Sequence, residues 1–464
     1  MKAPLQLLLL LLWLTVSVSE SYGQFSVGST TLTFNDPART GGFGSGGGSG
    51  RQIQCEIYYP AVSAGVDAPV ASGTFPVIVF GHGFFMAWDA YENIWDHYAP
   101  LGYILVFPRT EGNASPSHED FGKDLVIVAE KMEALAANSN STFFNKWNGK
   151  TGVMGHSMGG GSTFLAAGDP TSSFDAVVGM APAETDPSAI SAAANVSAPT
   201  LVFSGSEDGV TPPADHHSPI YNAVPASVCK QFVSITGGAH CYFANSNWAC
   251  DFGESTSGGS ISVQRAEQQD IVFDLLDPWL SFYLKGVCAD WGVFTNLLST
   301  DSRIVGQNNC SYQLPSAPAI AVNGSVLSVT TNLAVQWNLN GNALAGETGA
   351  SLETTTYGDG SYTVTVTDAN GCSATSAPVN MQGGGVGIWE AETVIYDLYP
   401  NPATTELTIL VNGDVTNEIR LLNAMGQPVE TRTITGNTTW NIEQLTAGVY
   451  FVQMAGSQKR FVKQ

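Results

Sequence analysis

Apolar residues fall in two rhythms along this chain of 464 residues. Up to about Cys310 they come as short unbroken runs: Phe75-Pro76-Val77-Ile78-Val79-Phe80, Tyr103-Ile104-Leu105-Val106-Phe107, Ala176-Val177-Val178-Gly179-Met180 and Thr200-Leu201-Val202-Phe203. A strand without polar alternation is buried on both faces, as happens in parallel sheets covered by helices. Between these runs lie amphipathic stretches, and the apolar spacing of 121–132 predicts a crossover helix. Strands alternating with helices predict an α/β fold with a mostly parallel sheet over 24–310. Beyond Pro315 the rhythm becomes strict alternation, in 325–337 and 361–367, punctuated by the turns Asn338-Leu339-Asn340-Gly341 and Asp368-Ala369-Asn370-Gly371. This predicts a small β-sandwich over 311–382, a glycine-rich linker over 383–393 and a second all-β unit over 394–464. The tract Gly41 to Gly50 is nearly all glycine and serine and reads as a loose loop before the strand 53–59. No helix follows it, so it is not expected to cradle a phosphate.

The first residues have a pattern of their own. Lys2 precedes an apolar run from Leu5 to Leu14, and Ser21-Tyr22-Gly23 supplies small residues before Gln24. That predicts a cleaved signal segment over 1–23. No later run approaches the ~20 apolar residues of a membrane-spanning helix, so the expected product is an exported monomer without a transmembrane segment. Charge narrows the partners: 17 basic residues against 40 acidic give −23, which disfavours nucleic acid and anionic lipid. Seven cysteines in an exported chain predict disulfides with one thiol left over. None forms a C-x-x-C pair, so zinc binding is not expected, and the reading calls for no other metal and no cofactor. Nearness in sequence favours the pairs Cys241–Cys250 and Cys288–Cys310.

Candidate chemistry centres on Gly155-His156-Ser157-Met158-Gly159, set between the strand-like Thr151-Gly152-Val153-Met154 and a run that opens a helix. A serine that attacks a carbonyl must stand on a turn too tight for flanking side chains, and the helix start behind it favours developing negative charge. Such a serine needs a base, and the base an orienting acid, in the chain order Ser, Asp or Glu, His. Asp208 follows the strand 200–203 in a loop at the correct edge, with Glu207 as competitor. His82, His97, His118 and His156 precede the acid, and His216 and His217 follow it so closely that they are not expected to return to the sheet edge. His240, after the strand 231–236 and the turn Gly237-Gly238-Ala239, is the expected base. Two oxyanion donors are also required; the backbone N–H groups of Met158 and Phe84 are the candidates. Trp88 and Val210 are expected either to wall a substrate pocket or to pack in the core.

Two resemblances follow from these residues. Leu398-Tyr399-Pro400-Asn401-Pro402-Ala403, the stretch 419–427, Leu445-Thr446-Ala447-Gly448-Val449-Tyr450 and the basic end at Lys459, Arg460 and Lys463 resemble the C-terminal sorting domain of type IX secretion. The resemblance implies a Gram-negative bacterium whose type IX machinery exports the chain, to be secreted or attached at the cell surface. The unit before it, with Thr363-Val364-Thr365-Val366-Thr367 and Cys372, resembles the immunoglobulin-like repeats that precede such domains, as a spacer or as a module gripping a surface or polysaccharide. In the first region, Gly155 to Gly161, 199–203 with Glu207-Asp208, Pro219-Ile220-Tyr221, and Lys230-Gln231-Phe232 with Gly237-Gly238-Ala239-His240 are similar to bacterial cutinases and polyester hydrolases of the polyethylene-terephthalate-degrading kind. This resemblance implies an α/β-hydrolase fold, relatives among dienelactone-hydrolase-like proteins, a triad of Ser157, Asp208 and His240, oxyanion donors at Phe84 and Met158, and cleavage of an ester or polyester through an acyl-enzyme. Two features of the family are missing. Ala183-Glu184-Thr185-Asp186-Pro187 lacks the tryptophan that the polyester hydrolases use against aromatic rings, and Gly205 and Tyr242 stand where some members join the acid and histidine loops by a disulfide. The alternatives are a lipase or short-chain esterase without polymer activity, a peptidase of the prolyl-oligopeptidase type (for which a propeller-sized N-terminal domain is lacking), and a surface adhesin on an inactive hydrolase scaffold.

Overall fold

The computed structural model describes residues 25–382, 396–411, 416–454 and 457–464. The expected signal segment (1–23) and linker (383–393) lie outside these residues. By chain contacts the molecule divides into Met1–Met381 and Gln382–Gln464.

The first unit is built on one eleven-stranded sheet. Its strands are β1 Ser26–Asp36, β2 Gly42–Phe43, β3 Arg51–Ala61, β4 Gly65–Val66, β5 Phe75–Gly81, β6 Ile104–Pro108, β7 Trp147–His156, β8 Ala176–Met180, β9 Thr200–Gly205, β10 Lys230–Ile235 and β11 Ile304–Asn308. Spatially they run β11-β10-β9-β8-β7-β5-β6-β3-β1-β4, with β2 alongside β3. From β10 to β6 every pairing is parallel, while β11 and β3 close the two sides antiparallel. The helices are α1 Glu92–Tyr98, α2 His118–Ala137, α3 Met158–Ala167, α4 Ala189–Ala193, α5 His217–Ala223, α6 Trp248–Ser257, α7 Arg265–Leu280 and α8 Ala289–Thr300. The expected crossover helix is α2; Ser117 caps it by accepting the Asp120 N–H at 3.1 Å.

The unbroken apolar runs divide between two cores. Ile78, Phe80, Leu105, Met154, Val178 and Phe203 point to the face covered by α1, α7 and α8. Their neighbours Val77, Val79, Val106, Val153, Val177 and Val202 point to the face covered by α2, α3 and α4. Because side chains alternate across a strand, a run must be apolar at every position to feed both.

Two expectations are corrected. The glycine-rich tract is not loose: β2 pairs in parallel with Gln52 and Ile53 of β3. Of the cysteines, Cys241–Cys250 is bonded as expected, but Cys310 joins Cys229 and Cys288 joins Cys372, leaving Cys55 as the buried free thiol. Nearness in sequence misled because β11 runs back along β10, which brings Cys310 beside Cys229.

The same unit contains a β-sandwich. One sheet holds Ile320–Asn323, Val326–Val329 and Ser351–Glu353, and the other is centred on Ala334–Leu339 and Gly360–Thr367. Trp337 is fully buried between them with Leu327, Leu352, Tyr362 and Val364. This sandwich is fastened to the α/β part by Cys288–Cys372, by Tyr312 packing on Phe282 and Trp291, and by the Tyr312 hydroxyl donating to Asp368. In the second unit, a three-stranded and a four-stranded antiparallel sheet enclose Leu407, Ile419, Trp440, Val452 and Phe461. No helix among the described residues is long and apolar enough to cross a membrane.

Candidate active site

β7 ends at His156, and the chain turns into α3 through a single residue. Ser157 holds that turn with φ +57° and ψ −121°, a left-handed conformation costing a non-glycine residue about 1–3 kcal/mol. Three backbone bonds fix it there: its N–H donates to the Met180 carbonyl at 3.0 Å, and its carbonyl accepts from Gly161 and Ala183, each at 2.9 Å. The glycines are dictated by close approach. A Cβ on Gly155 would lie 2.3 Å from the Gly159 carbonyl oxygen, and one on Gly159 would lie 2.1 Å from that of Gly81.

His240 and Asp208 meet this serine. His240 Nε2 is 2.9 Å from Ser157 Oγ, and its Nδ1 is 2.7 Å from Asp208 Oδ2. The other carboxylate oxygen of Asp208 accepts the N–H groups of Val210 and Thr211 at 2.9 and 2.7 Å. Burial opposes ionisation of Asp208, but the adjoining His240, together with His217 and the Thr211 N–H, outweighs it and holds the carboxyl below its ordinary value.

The expectation that His216 and His217 stay away from the sheet edge is wrong. The helix after a parallel strand runs back along the sheet, so its first residue lies near the edge that the strand has just left. His217 opens α5 and is fully buried, its Nε2 3.5 Å from Asp208 Oδ2 and 2.9 Å from Thr211 Oγ1. Ser204 Oγ lies 2.8 Å from its Nδ1. Burial lowers its pKa to about 3, so the ring is neutral. One proton assignment satisfies the whole chain: Ser204 donates to His217, His217 to Thr211, Thr211 to Asp208, and His240 Nδ1–H to Asp208. His216 stands further out and accepts the Glu184 N–H at 2.9 Å. Asp208, His217 and His240 are close enough to suggest a metal ligand set, but Thr211 and the Asp208–His240 bond already engage the facing atoms.

A second buried network lies behind His240. Tyr91 accepts the Gly83 N–H at 2.8 Å and reaches His156 Nδ1 at 2.9 Å, while His156 Nε2 meets the His240 carbonyl at 3.0 Å. Burial, with His240 adjoining, pushes His156 well below its ordinary pKa, so the ring is neutral, donating through Nε2 and accepting from Tyr91. The His240 and Cys241 N–H groups both donate to Glu254 of α6, and Cys241 is bonded to Cys250 on the same helix. Gln268 bonds both backbone groups of Ala239, at 2.8 and 2.9 Å. Neither Tyr91 nor Glu254 carries a sequence signal, since each acts through a tertiary contact.

An open cavity of about 390 Å³ faces Ser157, lined by Phe84, Met158, Ala183, Glu184, Val210 and Thr211 among others. Phe84, Met158 and Val210 thus share this cavity with Ser157. The N–H groups of Phe84 and Met158 have no acceptor among the described residues. Trp88 does not line this cavity; it packs against the stacked pair Tyr58 and Trp95 and walls a neighbouring one. Where related polyester hydrolases place their tryptophan, Ala183, Glu184 and Thr185 form the wall.

Comparison with known proteins agrees with this geometry. Residues 15–255 match the family model described as PET hydrolase-like. The chain belongs to the PET hydrolase-like family. Within the reach of that match lie Phe84, Gly155 to Gly159, Asp208 and His240. A bis(hydroxyethyl) terephthalate hydrolase of Streptomyces coelicolor is 27% identical over 224 residues, covering 48% of this chain and 63% of that protein. Cutinase est1 of Thermobifida alba is 24% identical over 224 residues, 48% of this chain and 67% of its own length. Chlorophyllase-1 of Arabidopsis thaliana is 33% identical over 128 residues, 25% of this chain and 38% of its own. Two of these three matches thus span less than two thirds of the relative. Separately, residues 397–464 match the secretion system C-terminal sorting domain, which marks the chain for type IX secretion to the cell exterior or surface.

Proposed function

We propose that this protein is an exported serine carboxylic ester hydrolase of the cutinase type, acting outside a Gram-negative cell on water-insoluble esters, polyesters of terephthalate included. The observation carrying this reading is the unbroken chain from Ser157 Oγ through His240 to Asp208, on a strained elbow facing an open cavity. Ser157 attacks the ester carbonyl while His240 Nε2 takes its proton; the Asp208 carboxylate stabilises the imidazolium formed. The Met158 and Phe84 N–H groups hold the oxyanion, an interaction strongest in the transition state. His240 returns the proton to the departing alcohol, leaving an acyl-enzyme. Water deprotonated by the same imidazole then releases the acid. Every group in this sequence comes from one chain, so a monomer suffices.

The rival reading, a lipase or short-chain esterase without polymer activity, is favoured by one observation: no aromatic side chain stands among Ala183, Glu184 and Thr185. Hydrolysis of tributyrin compared with release of soluble acids from aliphatic and terephthalate polyester films separates the two. Erosion of both films is expected, with Asp208→Asn slowing every substrate by about 10³-fold or more. Turnover of tributyrin with intact films would leave the short-chain esterase, and no turnover of any ester would leave the adhesin.

A further inference from the structure

The carboxyl edge of the sheet carries a second cavity. Beside the one at Ser157, a space of about 370 Å³ is walled by Phe43, Met86, Trp88, Arg109, Glu111 and Asn113 among others. The Ser157 cavity lies above β7 and β5, and the second lies above β5 and β6, the next strand along. Neighbouring strands are about 4.8 Å apart, so the two spaces adjoin. They also share two loops. Phe84 faces the first cavity and Trp88 the second, a separation of at most about 14 Å of chain. Likewise Asn113 faces the second while Pro116 and His118 face the first.

The glycine-rich tract builds the outer wall. Gly42 and Gly44, on either side of Phe43, have φ +85° and +102°. A Cβ on Gly42 would fall 2.0 Å from the Gln52 carbonyl oxygen, and one on Gly44 would fall 2.7 Å from Gln54 Cβ. Only glycine lets the chain lie this close to β3, and the effect is to hold the half-exposed Phe43 ring at the cavity. The Arg109 guanidinium stacks 4.8 Å from the Phe43 ring centre and gives one N–H to Glu56. Its remaining N–H groups have no partner among the described residues. Glu111, by contrast, is fully engaged by Arg51 and the Ser117 N–H, so it offers no free charge to a ligand.

Two aromatic walls and a cation with open donors select a planar ring bearing an acceptor oxygen. We propose that this cavity binds a second aromatic ester unit of the substrate, flanking the unit cleaved at Ser157. The ring enters between Trp88 and Phe43, and a carbonyl or carboxylate oxygen accepts from Arg109. Aromatic recognition is thereby supplied on the other side of Ser157 from the wall where the family's tryptophan is missing. This inference rests on the proposed ester hydrolysis and deepens it.

The test compares kcat/KM on bis(hydroxyethyl) terephthalate, with one ring, and on linear two-ring terephthalate esters ending in either a hydroxyethyl ester or a free acid. For Phe43→Ala and Arg109→Gln, the ratio of two-ring to one-ring kcat/KM is expected to fall about five- to tenfold, carried by KM. A larger fall for the acid-ended substrate in Arg109→Gln assigns the contact to a carboxylate; an equal fall assigns it to an ester carbonyl. A ratio unchanged in both variants, with thermal unfolding as in the wild type, overturns the subsite. A wild-type protein that hydrolyses tributyrin but none of the three also overturns the subsite, whereas one inert on tributyrin as well overturns the hydrolase reading itself, so the two failures are distinguishable.

Discussion

Tyr91 does its work through one oxygen. Its hydroxyl joins the loop of Gly83 and Phe84 to His156, and His156 in turn holds the carbonyl of His240. The Gly83-Phe84 loop, the elbow and His240 are therefore linked by three hydrogen bonds among buried groups. Tyr91→Phe keeps the ring and its packing on Phe80 but leaves the Gly83 N–H without its acceptor, a loss of about 1–3 kcal/mol. Part of that cost is expected as a fall in kcat of about tenfold with KM nearly constant, because a displaced Phe84 N–H matters most when the oxyanion forms. Steady-state kinetics on a soluble ester decide it: unchanged kcat in the folded variant would show that the link does not position the donors. At this scale the sequence points to the groups proposed to react and hides those packed around them. Ser157, Asp208 and His240 each sit at a strand end in a set order, whereas Tyr91, His217 and Glu254 matter only through contacts that folding creates.

At the scale of elements, what could be read ahead was what local rules dictate. A continuous apolar run must become a doubly covered strand, and the glycines of the elbow had to be close-approach positions because no side chain fits beside the Gly159 and Gly81 carbonyls. Two errors share one cause. Distance along the chain argues against His217 at the site and for a Cys288–Cys310 pair. Yet α5 begins at the edge that β9 has just left, and β11 returns antiparallel along β10. The glycine tract misleads for a related reason: low complexity suggests looseness, but its glycines are shaped to the backbone of β3. Composition alone does not separate a glycine needed for freedom from one needed for contact.

For the whole molecule, the buried histidines set a limit in acid. His82, His156 and His217 all have lowered pKa values, burial being the largest cause in each, and His217 is lowered to about 3. In the unfolded chain a histidine takes up its proton at pH ~6.5, its ordinary value. Between that pH and the folded value, the unfolded state binds protons that the folded state refuses. Stability therefore falls as pH drops below about 6.5, by up to about 1.4 kcal/mol per pH unit for each such histidine. Asp208 adds to the loss only lower down, when pH falls below the ordinary carboxylate range and through its depressed folded value. Urea unfolding at pH 7, 6 and 5 is expected to show this decline, with a shallower slope in His217→Gln. A flat profile would mean that these rings are not held neutral.

The central claim is that Ser157 is a nucleophile activated by His240, and covalent labelling with a fluorophosphonate reads this directly. Intact mass and peptide mapping of the folded protein should show one adduct, on Ser157. It should be absent in Ser157→Ala and should form at least about 100-fold more slowly in His240→Ala. A folded wild-type protein that takes up no label, carries it elsewhere, or reacts equally fast without His240 would contradict the account.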